Sequence, residues 1–159
     1  MSSFLLSGLN PALFAELFQL DDATLAARHI ARVTATEASG FPCRVSLADA
    51  TVGEELLLLS FQHQPADSPY RASGPIFVRR GVARAELQVN EVPSQVQRRL
   101  MSLRAYGADD RIIFAEVCDG AGVGEWLQAA FDDADVAYVH LHFARYGCFS
   151  CRADRVSST

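Results

Sequence analysis

The sequence predicts an α+β fold: a mainly antiparallel or mixed sheet with three to four short helices, in a single domain over residues 1–159. Three observations carry this reading. Short apolar runs recur along the chain, each bounded by Gly, Pro or Asp-rich turn signals. Residues 102–106 and 111–117 flank Gly107-Ala108-Asp109-Asp110, which is the pattern of a β-hairpin. Helical periodicity is confined to brief stretches, so helices must decorate a sheet rather than form a bundle.

Taken in order, Asn10-Pro11 supplies an N-cap and a first-turn proline. Leu13, Phe14, Leu17 and Phe18 follow at helical spacing, which predicts a helix to about Gln19. Asp21 or Asp22 caps a second short helix over 23–29. Residues 32–36 favour a strand, Gly40-Phe41-Pro42 breaks the chain, and 43–47 alternate as a half-buried strand. After a turn at 50–53, residues 54–61 have an unbroken apolar centre and read as a strand buried on both faces.

The segment 63–75 is the most distinctive. It packs His63, Asp67, Ser68, Tyr70, Arg71 and Ser73 between Pro65, Pro69, Gly74 and Pro75. Prolines fix φ and remove donors, so the expectation is a stiff polar loop, neither helix nor central strand. Residues 75–79 and, more weakly, 85–89 then read as strands, and Pro93 opens a helical turn or two across Val96 to Leu100. The hairpin is followed by Gly120-Ala121-Gly122 and a helix over 123–131, with Trp126, Leu127 and Ala130 facing the core. Strands over 136–143 and 148–156, joined by a turn at 145–147, complete the chain.

Composition narrows the chemistry. All 14 basic residues are Arg, which excludes a lysine Schiff base and a phosphate-binding P-loop lysine. A net charge of -5 argues against non-specific nucleic-acid binding, which rests on phosphate neutralisation. No stretch approaches the apolar length of a membrane span, and the N-terminus has no basic, apolar leader. The expected setting is therefore cytoplasmic, with Cys43, Cys118, Cys148 and Cys151 as reduced thiols.

Several groups could carry chemistry. Tyr138, His140 and His142 alternate along a strand and so share its more polar face, opposite Val139, Leu141 and Phe143. Two adjacent imidazoles suit a metal ion if a further His or Cys joins them, or an anion; half-exposed sheet residues are the plainer reading. Cys148-Phe149-Ser150-Cys151 spells C-x-x-C, but residues three apart on a strand point to opposite faces, which opposes a disulfide. Cys43 beside an imidazole would be an activated nucleophile; otherwise it is a small buried hydrophobe. His63 and Asp67 offer a base and its orienting carboxylate, or else the loop bonds to itself through Asp67, Ser68 and Ser73. Arg44, Tyr70 and Arg71, with Arg145, could hold a carboxylate or phosphate. The glycines at 120–124 lack dinucleotide-binding spacing and mark a helix entry. No cofactor is evident.

Phe41-Pro-Cys-Arg-Val-Ser-Leu47, the run from His63 to Val78, Ser102-Leu-Arg-Ala-Tyr106 and Val139-His-Leu-His142 with Gly147-Cys148 resemble a bacterial family known as domain of unknown function family 1203. The resemblance covers nearly the whole chain. It implies that Cys43, Arg44, His63, Asp67, Tyr70, Arg71, His140, His142 and Cys148 belong to the family pattern and that Cys118 and Cys151 depart from it. The family has no established activity to carry over. The expectation is a binder of a small anionic molecule or a Cys/His-centred enzyme, its site joining the 63–75 loop to the 138–142 strand. His63, Asp67, Cys43 and Cys148 are its candidate catalytic groups; Arg44, Tyr70, Arg71, Ser73, His140, His142 and Arg145 are its candidate ligand contacts. The alternatives are a metal centre on His140 and His142 or a non-enzymatic interaction module. Whether these side chains converge separates the readings.

Overall fold

Antiparallel pairing gathers the strands into two sheets. The structure is a computed structural model that describes residues 1–157. The larger sheet contains β1 (Ser3–Ser7), β5 (Leu100–Tyr106), β6 (Ile112–Asp119), β7 (Tyr138–Phe143) and β8 (Phe149–Val156), in the order β1-β8-β7-β5-β6. The smaller contains β2 (Ala31–Thr34), β3 (Glu55–Gln64) and β4 (Ala72–Arg79), in that order. Three short α-helices, α1 (Asp22–Ala27), α2 (Ser94–Gln97) and α3 (Val123–Asp132), and three 3-10 turns complete the described residues. This is the α+β architecture that the sequence predicts, and the β5–β6 hairpin, α3, β7 and β8 all fall where expected.

Alternation sets which face is buried. Val139, Leu141 and Phe143 of β7 pack with Met101, Leu103 and Ala105 of β5 and with Cys151 and Ala153 of β8. Val123, Leu127 and Phe131 of α3 cover them, recurring on one helical face. Gly120 lies where the chain enters α3 with no room for a side chain: a Cβ there would stand 1.9 Å from the Val96 carbonyl oxygen. A second core joins Phe14, Phe18, Leu25, Cys43 and Val45 to Leu57, Leu59, Ile76 and Val78. Leu56 points the other way, into a third cluster with Ala35 and Ala50. β3 is thus buried on both faces at its centre, as its unbroken apolar run implies.

The departures have physical causes. Asn10 does cap, its Oδ1 accepting the Ala12 N–H at 3.0 Å, but only 3-10 turns follow, at Pro11–Leu13 and Leu17–Gln19. Burial of Phe14 and Phe18 against the smaller sheet overrides the helical pattern, while Leu13 stays exposed. Residues 43–47 form no strand. Cys43 makes one bridge to Phe77, and Leu47 at φ +53° turns the chain back so that Pro42 meets Asp49. The loop expected over 63–75 shrinks to 65–71, because β3 runs to Gln64 and β4 starts at Ala72. Pro75 is accommodated within β4 because β4 is an edge strand and needs no N–H on its outer side. Residues 85–89 form no strand in either sheet, and the turn at Pro93 yields only α2. β1 is the element the sequence did not announce; it pairs with the last strand, Ser3 opposite Val156 through Ser7 opposite Arg152.

Candidate functional site

Strand register builds the site. Residues paired across neighbouring strands share a face, and β5, β7 and β8 pair as Arg104–His140–Arg152, Ser102–His142–Phe149 and Tyr106–Tyr138–Asp154. The face opposite α3 therefore carries imidazoles, phenols and guanidinium groups in rows. The end of β3 crosses over it. The His63 ring stacks on Phe149 (centroids 5.3 Å, 11° between planes) and stands edge-on to His142 at 5.0 Å, with His140 at 6.2 Å. Tyr106 stacks on Tyr138 at 5.0 Å, meets His140 at 4.9 Å and receives the edge of Tyr70 at 6.2 Å. His140 and His142 are thus 3% and 1% exposed, not half-exposed as strand alternation suggests, because the second sheet roofs them.

Hydrogen bonds fix the state of His142. Its Nδ1 lies 3.0 Å from the Gly147 carbonyl oxygen, which can only accept, so Nδ1 carries the proton. Nε2 is then the acceptor for Arg104 Nη1 at 3.3 Å. Burial, together with Arg104, His63 and Arg44, holds His142 down to about 3, the Gly147 bond opposing. Burial, then His142, His63 and the arginines, holds His140 down to about 3 as well. His63 is lowered by burial and by Arg104, its interaction with the Phe61 carbonyl opposing. All three imidazoles are therefore neutral at pH 7. His140 Nδ1 is buried with no hydrogen-bond partner, an exception to the rule that buried polar atoms are satisfied.

Arg104 is the positive centre. It is partly buried, bonds only to neutral groups, Ser102 Oγ at 3.4 Å and His142 Nε2, and has no carboxylate partner among the described residues. A second chain of bonds ties the roof to the floor. Gln64 Nε2 donates to Tyr138 Oη at 2.9 Å, Tyr138 donates to Asp110 Oδ1 at 2.7 Å, and Ser68 Oγ donates to the Asp110 carbonyl at 2.8 Å. Burial and the Asp110 bond push the Tyr138 hydroxyl up to about 12, so it stays protonated and keeps donating.

The residues nominated from sequence divide into two groups. His63, His140 and His142 converge, with Tyr70 at the rim. Asp67 does not orient His63: it is fully exposed and pairs with Arg71 at 3.0 Å, and Arg71 also donates to the Pro65 carbonyl. Together with Ser68, which accepts the Tyr70 N–H, these contacts make the loop self-bonded. Ser73 is exposed on β4 and Arg145 is exposed in the turn before β8. Arg44 is 1% exposed and its guanidinium is committed internally. It donates to the Phe149 carbonyl at 2.7 Å, the Pro42 carbonyl at 2.5 Å and Cys148 Sγ at 3.0 Å, and lies over the Phe143 ring at 4.8 Å. Cys43 Sγ accepts the Arg79 and Ser46 N–H groups at 3.3 and 3.5 Å. Cys148 and Cys151 are free thiols, and burial pushes Cys151 up to about 12. No group of three or more His, Cys, Asp or Glu side chains among the described residues is placed to hold a metal ion, so the ligand set expected around His140 and His142 is not assembled. A groove of about 220 Å³ lies elsewhere, between Pro11, Phe14 and Phe18 and the Val78–Val82 segment, and contains none of the nominated residues.

Arg104 and Tyr106 are the members that sequence reasoning does not nominate, and Tyr138 enters there only as sharing the face of His140 and His142. Their signal was present: Ser102, Arg104 and Tyr106 alternate along their strand as Tyr138, His140 and His142 do along theirs.

Fold and site together define an α+β protein in which one antiparallel sheet roofs a histidine, tyrosine and arginine cluster on another. Residues 40–155 match the family described as Protein of unknown function (DUF1203), and the chain belongs to that family. No curated protein and no solved structure matches the chain. No helix is long and apolar enough to cross a membrane among the described residues.

Proposed function

We propose that the chain binds a small anionic molecule at Arg104, between the two sheets. The observation that carries this is the half-buried guanidinium with only neutral partners. A carboxylate or phosphate suits such a fork, and partial burial strengthens the charge-assisted bonds. The neutral imidazoles of His63 and His140 complement it without adding charge, and His140 Nδ1 is a polar atom still to be matched; both ring nitrogens of His142 are already bonded, to Gly147 and Arg104. Tyr106 and Tyr70 supply an aromatic wall, which favours a ligand with a flat or apolar portion beside its anionic group.

In this reading Arg71 and Arg145, nominated from sequence as anion contacts, hold loops or face solvent, and Arg104 takes their role. Should chemistry follow binding, His63 is the group placed to accept a proton, since it is the least buried imidazole of the three. Cys148 is engaged by Arg44 rather than by an imidazole.

Isothermal titration at pH 7.5 with inorganic phosphate, acetate and benzoate tests the reading. At least one probe should bind saturably, with affinity reduced tenfold or more in Arg104→Gln and unchanged in Arg71→Gln. Equal affinity in Arg104→Gln, or no saturable heat from any probe, would overturn it.

A further inference from the structure

The three imidazoles of the cluster differ in what each can do with a proton. His142 has both nitrogens committed: Nδ1 donates to the Gly147 carbonyl oxygen and Nε2 accepts from Arg104. A proton on Nε2 would turn that acceptor into a donor aimed at a guanidinium, so His142 has no place for one. His140 is buried, and the groups acting on it are His142, His63, Arg152 and Arg104, all bases or cations. His63 stands apart. It ends β3, is only partly buried, and its Nδ1 makes no hydrogen bond. It is the imidazole of the three that combines partial exposure with an uncommitted ring nitrogen.

The charge that reaches His63 has one sign. From β5, Arg104 opposes its protonation, second only to burial. From β7 come the neutral rings of His140 and His142, and from β8 the Phe149 ring stacked on it. Its own strand contributes the Phe61 backbone, which favours the protonated form. Two carboxylates lie at the margin of this face, and both are engaged: Asp110 accepts from Tyr138 at 2.7 Å and Asp154 from Arg152 at 2.8 Å. No carboxylate among the described residues pairs with His63 or Arg104.

We infer that anion binding at Arg104 is coupled to a proton: His63 is neutral in the free chain and takes up a proton when a carboxylate or phosphate binds. The inference rests on the reading that this cluster holds an anion. A bound anion reverses the field at His63. It offsets the Arg104 charge that opposes protonation, and it places an opposite charge beside a partly buried ring, where such charges act strongly. The imidazolium then gives the anion a second cation. Linkage fixes the sign. His63 holds its proton to higher pH in the complex than in the free chain, so affinity rises as pH falls between those two values and levels off below the lower one. The ligand is therefore held more tightly in acid and released as pH rises, and the proton it brings in sits beside it in the cluster.

A pH titration of the imidazole signals by NMR, on the full chain with and without saturating inorganic phosphate or benzoate, decides this. The chain has four histidines, and the His63 signal is the one lost in His63→Gln. Should that variant fail to fold, the contact with the Phe149 ring assigns the signal. With at least one probe the His63 midpoint should rise by about one pH unit or more, which is about tenfold tighter binding at the acid end of the window. The exposed His29 signal should be unmoved by either probe. Saturable heat that Arg104→Gln abolishes, with the His63 midpoint unmoved, overturns this inference and leaves anion binding standing. No saturable heat from either probe overturns both.

Discussion

Acid should destabilise this protein through two particular side chains. His140 and His142 are held at about 3 in the fold and return to an ordinary 6.5 when the chain unfolds. Between those values the unfolded state binds more protons than the folded state, so stability rises with pH across the window. The contribution is fully present above the unfolded value and is lost as pH falls below it. At pH 5 each imidazole is about 1.5 units below its unfolded pKa, which at about 1.36 kcal/mol per unit removes about 2 kcal/mol. The pair together remove about 4 kcal/mol, a large share of the ~5–15 kcal/mol typical of a domain. Carboxylates and the other histidines also respond to pH, so the comparison must cancel them. Urea unfolding of wild type and of His140→Gln/His142→Gln at pH 8 and pH 5 does this. The wild-type loss between the two pH values should exceed the variant's by about 4 kcal/mol. Parallel losses would refute the claim that burial keeps these imidazoles neutral.

Two further outcomes follow from the packing. Tyr138→Phe removes the hydroxyl that both Gln64 and Asp110 use, leaving the Gln64 amide buried without its partner; it should lower stability by about 1–3 kcal/mol in urea unfolding. Gly120→Ala should destabilise by about 1–3 kcal/mol, because the new methyl would meet the Val96 backbone, whereas Gly124→Ala, inside α3 with its nearest neighbour 3.7 Å away, should stabilise by about 0.5–1 kcal/mol. Thermal denaturation of the two alanine variants, which should shift in opposite directions, checks this pair.

How much of this was legible depends on whether the signal is local. The β5–β6 hairpin and α3 carry their information within a few residues, as turn chemistry and apolar spacing, and the sequence reading places them. β1 carries little of its own: its pairing is decided by β8, about 150 residues away, and no local pattern encodes that. The fate of 63–75 shows the same limit. Pro75 argues against a central strand, and that is correct, but only topology reveals that β4 is an edge where proline is harmless. Among the site residues, His140 and His142 were readable from alternation, while their burial depended on β3 crossing above them. Arg44 shows the limit from the other side. A lone arginine in a motif reads as a ligand contact, yet it donates to the Phe149 carbonyl and to Cys148 Sγ, which become its neighbours only in the folded chain. Arg104 was overlooked because a strand arginine looks like a solvated residue until register sets His140 beside it.

The pairing of β1 with β8 also dictates an order of events during synthesis. β1 must wait, edge uncovered, until β8 has left the ribosome. The larger sheet cannot close before β8 is made, because β8 separates β1 from β7 in the sheet order. Its completion therefore waits on β8, and such distant contacts make folding slow. The smaller sheet is free of this constraint, since β2, β3 and β4 follow one another within residues 31–79. It can assemble first on the emerging chain, ready to roof the histidines when their strand arrives.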